Sequence, residues 1–64
     1  MRIRYDKETD IVYISLSTVQ ISESDEIEPG IILDYAENGE VVGIEILNAT
    51  KYLGQENGNL YEMA

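Results

Sequence analysis

The chain has 64 residues and a formal charge of −9, from 13 acidic and four basic side chains, with no cysteine and no histidine. Disulfides, thiolate metal sites and histidine-based catalysis are therefore excluded. A chain this short buries only about 60% of its extended surface, so its core is marginal and a partner subunit is the staple that remains.

That leads to an expected homodimer. The basic residues are Arg2, Arg4, Lys7 and Lys51, and ten carboxylates fall between Lys7 and Lys51 with no positive charge among them. Such a surface repels phosphate backbones and anionic lipid, so neither nucleic acid nor membrane is an expected partner. A basic protein is. No apolar run approaches the roughly 18 residues a membrane helix needs, and the N-terminus lacks a secretory pattern, so a cytoplasmic location is expected.

The elements read as strands. Arg2 to Tyr5 alternates, with Ile3 and Tyr5 on one face and the arginines on the other. Residues 6 to 10 read as a polar turn. Ile11 to Leu16 is rich in β-branched and aromatic residues and reads as a second strand. Ile21 to Ile27 reads as an acidic edge strand, ended by Pro29, which cannot donate to a ladder.

Ile31–Tyr35 and Val41–Leu47 flank Asn38-Gly39, the strongest short-range hairpin signal. A two-residue loop there sets Tyr35 opposite Val42, Leu33 opposite Ile44 and Ile31 opposite Ile46, all apolar and on one face. The other face then pairs Asp34 with Gly43 and Ile32 with Glu45. A tight loop would also oppose Glu37 to Glu40, which is unfavourable. A three-residue loop would flip the faces unless a bulge at Gly39 restored them.

Asn48 is positioned to cap a short helix or turn over residues 49 to 53. The expectation is a mostly β, β-rich α+β fold: an antiparallel meander of four to five short strands with a short C-terminal helix or turn. Residues 1–53 make one domain, and the polar tail 54–64 is expected to fray.

Few residues suggest chemistry. Asp6, Glu8 and Asp10 match the first three ligand positions of a calcium loop, but Ser17 stands where a bidentate glutamate is needed, so a turn is expected. Asp34 and Glu45 fall diagonally on one sheet face and are the stronger candidates for a metal or small-ligand site, although the simpler expectation is the wet face of the sheet. The serines have no histidine to activate them, so no catalytic residue and no cofactor are expected. Ile11, Tyr13, Val41 and Leu47 give the second face a partly apolar character and are the candidate interface with a second copy.

Three segments in order carry a family resemblance. They are Tyr5-Asp6 with Asp10-Ile11-Val12-Tyr13-Ile14, Glu28-Pro29-Gly30-Ile31-Ile32-Leu33-Asp34, and Gly39 through Ala49. Over residues 1 to 53 the chain resembles the bacterial and archaeal domain of unknown function 2283. The resemblance implies a small stand-alone β-rich protein with no assigned activity. Some relatives are encoded beside small toxin-like proteins, which implies an antitoxin-like role.

The leading functional expectation is a non-enzymatic interaction module that docks a basic partner. The alternatives are a carboxylate-based cation or small-ligand site, with hydrolysis as its extreme form, and a structural subunit of a larger assembly.

Overall fold

The computed structural model describes residues 1–53; the tail expected to fray lies outside them. Five strands, β1 (Arg2–Asp6), β2 (Ile11–Ser15), β3 (Glu23–Glu28), β4 (Ile31–Tyr35) and β5 (Val41–Ile46), precede one short helix, α1 (Ala49–Leu53). They form one antiparallel sheet in the order β1-β2-β5-β4-β3. The expected β-rich class is the one that forms.

The meander is interrupted once, because β2 pairs with β5 rather than with β3. The connecting segment crosses one end of the sheet in the manner of a Greek key. Its ends are pinned by Leu16 N–H donating to Val42 O at 2.9 Å and Ser22 N–H to Tyr35 O at 2.7 Å.

The Asn38-Gly39 turn is a three-residue loop, not a two-residue one. Ala36 N–H donates to Glu40 O at 2.8 Å and Gly39 N–H to Ala36 O at 2.9 Å. Gly39 takes φ +94° while Asn38 stays at negative φ, and the Asn38 Oδ1 accepts from the Glu40 N–H at 3.0 Å. One positive-φ residue suffices here because Asn38 ties the turn with its side chain.

This loop would flip the faces, and a bulge restores them. It sits at Val42 rather than at Gly39: Tyr35 pairs with Val41, yet Asp34 pairs with Gly43 and Leu33 with Ile44. The register beyond the bulge is therefore the one the alternation requires.

The first face holds three apolar rows running across the strands: Tyr5, Val12, Ile46 and Ile31; Ile3, Ile14, Ile44 and Leu33; and Leu16, Val42 and Tyr35. Helix α1 covers one end only. Ala49 is completely buried against Val12, with Tyr5, Ile14 and Ile46 packed around them. The buried apolar residues among those described are Val12, Ala36, Val42 and Ala49. The middle row is left half-covered, and Ile3 and Leu16 remain 40% and 42% exposed.

The helix is anchored by a residue far away in sequence. Asp10 closes the β1–β2 turn at φ +58°. Its carbonyl accepts from the Ala49 N–H at 2.9 Å, and its carboxylate accepts from the Thr50 N–H at 3.3 Å, the Thr50 hydroxyl at 2.9 Å and the Tyr5 hydroxyl at 2.8 Å. Asn48 adopts φ +51°, and only its backbone carbonyl engages the helix, accepting from Lys51 N–H at 3.0 Å. The cap expected from Asn48 is thus supplied by Asp10.

Tyr52 closes the far side by donating its hydroxyl to Pro29 O and lying over Gly30, whose φ of +86° suits the Pro-Gly turn between β3 and β4. No described helix is long and apolar enough to cross a membrane.

Candidate functional site

The second face of the sheet is built from rows of a different character. One runs Arg4, Tyr13, Glu45, Ile32 and Glu26; the next runs Arg2, Ser15, Gly43, Asp34 and Ser24. Alternation puts these side chains opposite the apolar rows. Charge changes sign along them, from arginines on β1 to carboxylates on β5, β4 and β3.

Asp34 departs from the expectation of a wet face, for it has no solvent exposure. Gly43 stands directly opposite it and has no side chain to keep neighbours away. Tyr13, on the strand beyond, reaches into that space. A methyl built on Gly43 would lie 2.8 Å from the Tyr13 hydroxyl and 3.1 Å from Asp34 Oδ2. The glycine thus creates the room in which a tyrosine covers a carboxylate.

The Ser24 hydroxyl donates to Asp34 Oδ1 at 2.6 Å. Asp34 Oδ2 is buried with no aligned donor. Burial first, then hydrogen bonding to Asp34 and repulsion by its charge, raise the Glu45 carboxyl above its ordinary value. Two carboxylates hydrogen-bond only when one carries a proton. A proton on Glu45 would supply the donor that Oδ2 lacks.

Tyr13 feels the same environment. Burial, the charge of Asp34 and hydrogen bonding to it, and then Glu45, raise its phenol, while Arg4 pulls the other way. Tyr13 stays a neutral phenol beside the acidic pair.

The pair makes a definite prediction. Glu45 has a folded value above the ordinary 4.5 of a glutamate. Its contribution to stability is therefore full below about pH 4.5 and lost as pH rises through the raised folded value. At pH 7 Glu45→Gln should stabilise the fold by about 1 kcal/mol, because the amide donates to Asp34 without adding charge. The gain should vanish near pH 4. Thermal melts of both proteins at the two pH values check it.

Asp6, Glu8 and Asp10 form the turn. Glu8 N–H donates to Asp6 Oδ1 at 3.1 Å and Asp10 N–H to Asp6 O at 2.8 Å, while the Asp10 carboxylate is committed to Tyr5 and Thr50. Among the described residues no three acidic side chains are grouped so as to hold a metal ion.

Of the candidate interface residues, Ile11, Tyr13 and Leu47 are half-buried and Val41 is 37% exposed at the bulge. Tyr13 is engaged with Asp34. The larger open apolar surface belongs to the first face.

The site that residue-by-residue reading missed lies around β1. Arg2, Arg4, Tyr13 and Ser15 line a hollow of about 150 Å³. The alternation of Arg2 and Arg4 was the available signal, but the neighbour across from them could not be read without the β1–β2 register. Two larger hollows, of about 450 and 540 Å³, flank the crossover segment beside Ser22 and Glu37. Neither brings together side chains with a shared chemical task.

A family model described as "Protein of unknown function (DUF2283)" matches residues 2–49. The chain belongs to that family. It is also 35% identical over 60 residues to an uncharacterized protein of Methanocaldococcus jannaschii, an alignment covering 94% of this chain and 51% of the relative. This DUF2283 chain therefore spans about half the length of that relative. No solved structure matches it.

Proposed function

We propose that this DUF2283 protein is a non-enzymatic interaction module that works as a pair of copies stacked through the apolar face. The observation that carries the reading is the middle row of that face. Ile3, Ile14, Ile44 and Leu33 are left half-covered by the chain's own helix. Few described apolar side chains are fully buried, and there is no cysteine to staple the fold. A second sheet stacked about 10 Å away would bury the row at a spacing natural to sheet packing.

Charge favours one arrangement. The first face carries no charge on β2, β4 or β5, and its acids, Glu23 and Asp25, lie on β3. A two-fold axis parallel to the strands sets the β3 of one copy over the β1 of the other, which presents the uncharged Ile3 and Tyr5 on this face. An axis across the strands would set β3 over β3. The first arrangement is favoured, and it is isologous.

The acidic strand supports the docking of a basic partner in the cytosol. All six β3 residues are exposed, so Glu23, Asp25, Glu26 and Glu28 would form the outer margin of the pair. Such contacts would weaken as salt rises.

Sedimentation should return a dimer at micromolar concentration. Leu16→Lys with Ile3→Lys, both at exposed positions, should weaken it at least about 100-fold, the equivalent of about 2.7 kcal/mol. A wild-type monomer at high micromolar concentration would refute the pairing.

A further inference from the structure

Arg2 and Arg4 sit two residues apart on an edge strand, so both guanidinium groups leave the same face about 7 Å apart at their origins. The chain has four basic residues against 13 acids. Even so, neither arginine has a hydrogen-bond or ion-pair partner among the described residues. In a protein so rich in carboxylates, two unpaired guanidinium groups side by side are a local reversal of the prevailing charge.

They also share a shaped space. The hollow of about 150 Å³ is walled by Arg2, Arg4, Tyr13 and Ser15. Arg4 lies directly opposite Tyr13, and Arg2 directly opposite Ser15. The Tyr13 side chain is held in place by its position over Gly43, and the Ser15 hydroxyl donates to Ser17 O at 3.3 Å. The space equals roughly five waters at about 30 Å³ each. That admits one small planar or tetrahedral anion and little more. No carboxylate contributes to its wall.

We infer that this hollow is a binding site for a small carboxylate monoanion, held by the guanidinium groups of Arg2 and Arg4 against the side chain of Tyr13. The planar guanidinium fork matches a carboxylate in geometry. The charge of the rest of the face selects against a dianion. Glu45 is the next residue beyond Tyr13 in one row, and Asp34 lies two places beyond Ser15 in the other. A second negative charge on the ligand would meet these groups through a screened but short distance. Long-range repulsion from the net charge of −9 further penalises phosphate relative to a carboxylate. The site lies on the face opposite the proposed pairing surface, so its occupancy and the pairing of copies are separable.

The test is a titration of the full chain with acetate, benzoate and inorganic phosphate at pH 8, where phosphate is mostly the dianion, and at constant ionic strength. It is followed through the guanidinium carbon signals of the two arginines, with sodium chloride as the control. Saturable shifts of both signals are expected with acetate and benzoate, with millimolar dissociation constants, and at least tenfold weaker binding of phosphate. Arg2→Gln and Arg4→Gln, each at an exposed position, should each weaken acetate binding at least fivefold while leaving the backbone amide spectrum of a folded sheet.

The proposal is overturned if the shifts are linear and match those of chloride. It is overturned equally if phosphate binds as tightly as acetate, or if the Arg2→Gln and Arg4→Gln double variant binds acetate like the wild type.

Discussion

Gly43→Ala should destabilise the fold by about 1–3 kcal/mol, the usual cost of forcing a carbon into a packed site. The new methyl would stand 2.8 Å from the Tyr13 hydroxyl and 3.1 Å from Asp34 Oδ2. Asp34 cannot simply retreat, because it is wholly buried and Ser24 holds its other oxygen at 2.6 Å. Tyr13 must therefore swing outward, which uncovers the carboxylate. The mechanism can be separated from a generic glycine effect. Tyr13→Phe removes the nearer obstructing atom, so Gly43→Ala should cost less in that background, with a coupling of about 1 kcal/mol in a double-mutant cycle. Urea melts of the four proteins measure it. Additive costs would show that the tyrosine hydroxyl is not what the glycine accommodates.

Asp10→Ala should lower the melting temperature on the order of 10 °C, a shift typical of losing a tertiary anchor in a domain this small. Asp10 joins the first hairpin to the helix through Tyr5, Ala49 and Thr50. Its backbone is at φ +58°, where alanine is strained as well. Asp10→Gly separates the two effects: it relieves the strain, lacks the carboxylate, and should recover only part of the loss. Asp10→Asn tolerates the same backbone and keeps an acceptor, so it should be the mildest of the three.

The ionised state matters too. Burial works to raise the Asp10 carboxyl, but hydrogen bonds from Tyr5 and Thr50 outweigh it and hold it below the ordinary 3.8 of an aspartate. The folded value is depressed, so this stabilisation is present above pH 3.8 and is lost as pH falls through the folded value. Asp10 and Glu45 thus respond to acid in opposite senses. In the wild type, acid should loosen the helix anchor while it relieves the sheet face. Protection factors against hydrogen exchange at the Ala49 and Thr50 amides, followed from pH 5 to pH 3, report the first of these, and protection that stays constant would count against it.

Much of this architecture is legible in the sequence, because period-two alternation is a local property. Leu33 and Ile44 share a face, and so do Ile31 and Ile46, whichever loop joins the strands, provided a bulge corrects an odd loop length. Even the uncertainty between a tight loop and a bulged one was visible in the opposition of Glu37 to Glu40. The bulge falls at Val42 instead of Gly39, while Asn38 ties the turn through its side chain and Ala36 pairs with Glu40.

The candidate site was legible only in part. Alternation placed Asp34 and Glu45 on one face and Asp34 opposite Gly43. It gave no warning that Asp34 would be buried, because burial depends on which strand lies beyond β5. That strand is β2, brought there by the crossover at residues 16 to 22, and it delivers Tyr13 over the glycine. In the same way, the acids at 6, 8 and 10 were readable as a turn, while the use of Asp10 as a helix cap required residues forty positions apart to meet.

Composition and local pattern, which need only neighbours in sequence, determined the acidity, the lack of cysteine and histidine, the strands and their two faces. Strand order decided the rest, because contacts between distant segments set what each face touches. It buried Asp34 beneath Tyr13, anchored the helix on Asp10, left the middle apolar row half open, and gathered Arg2 and Arg4 around a hollow.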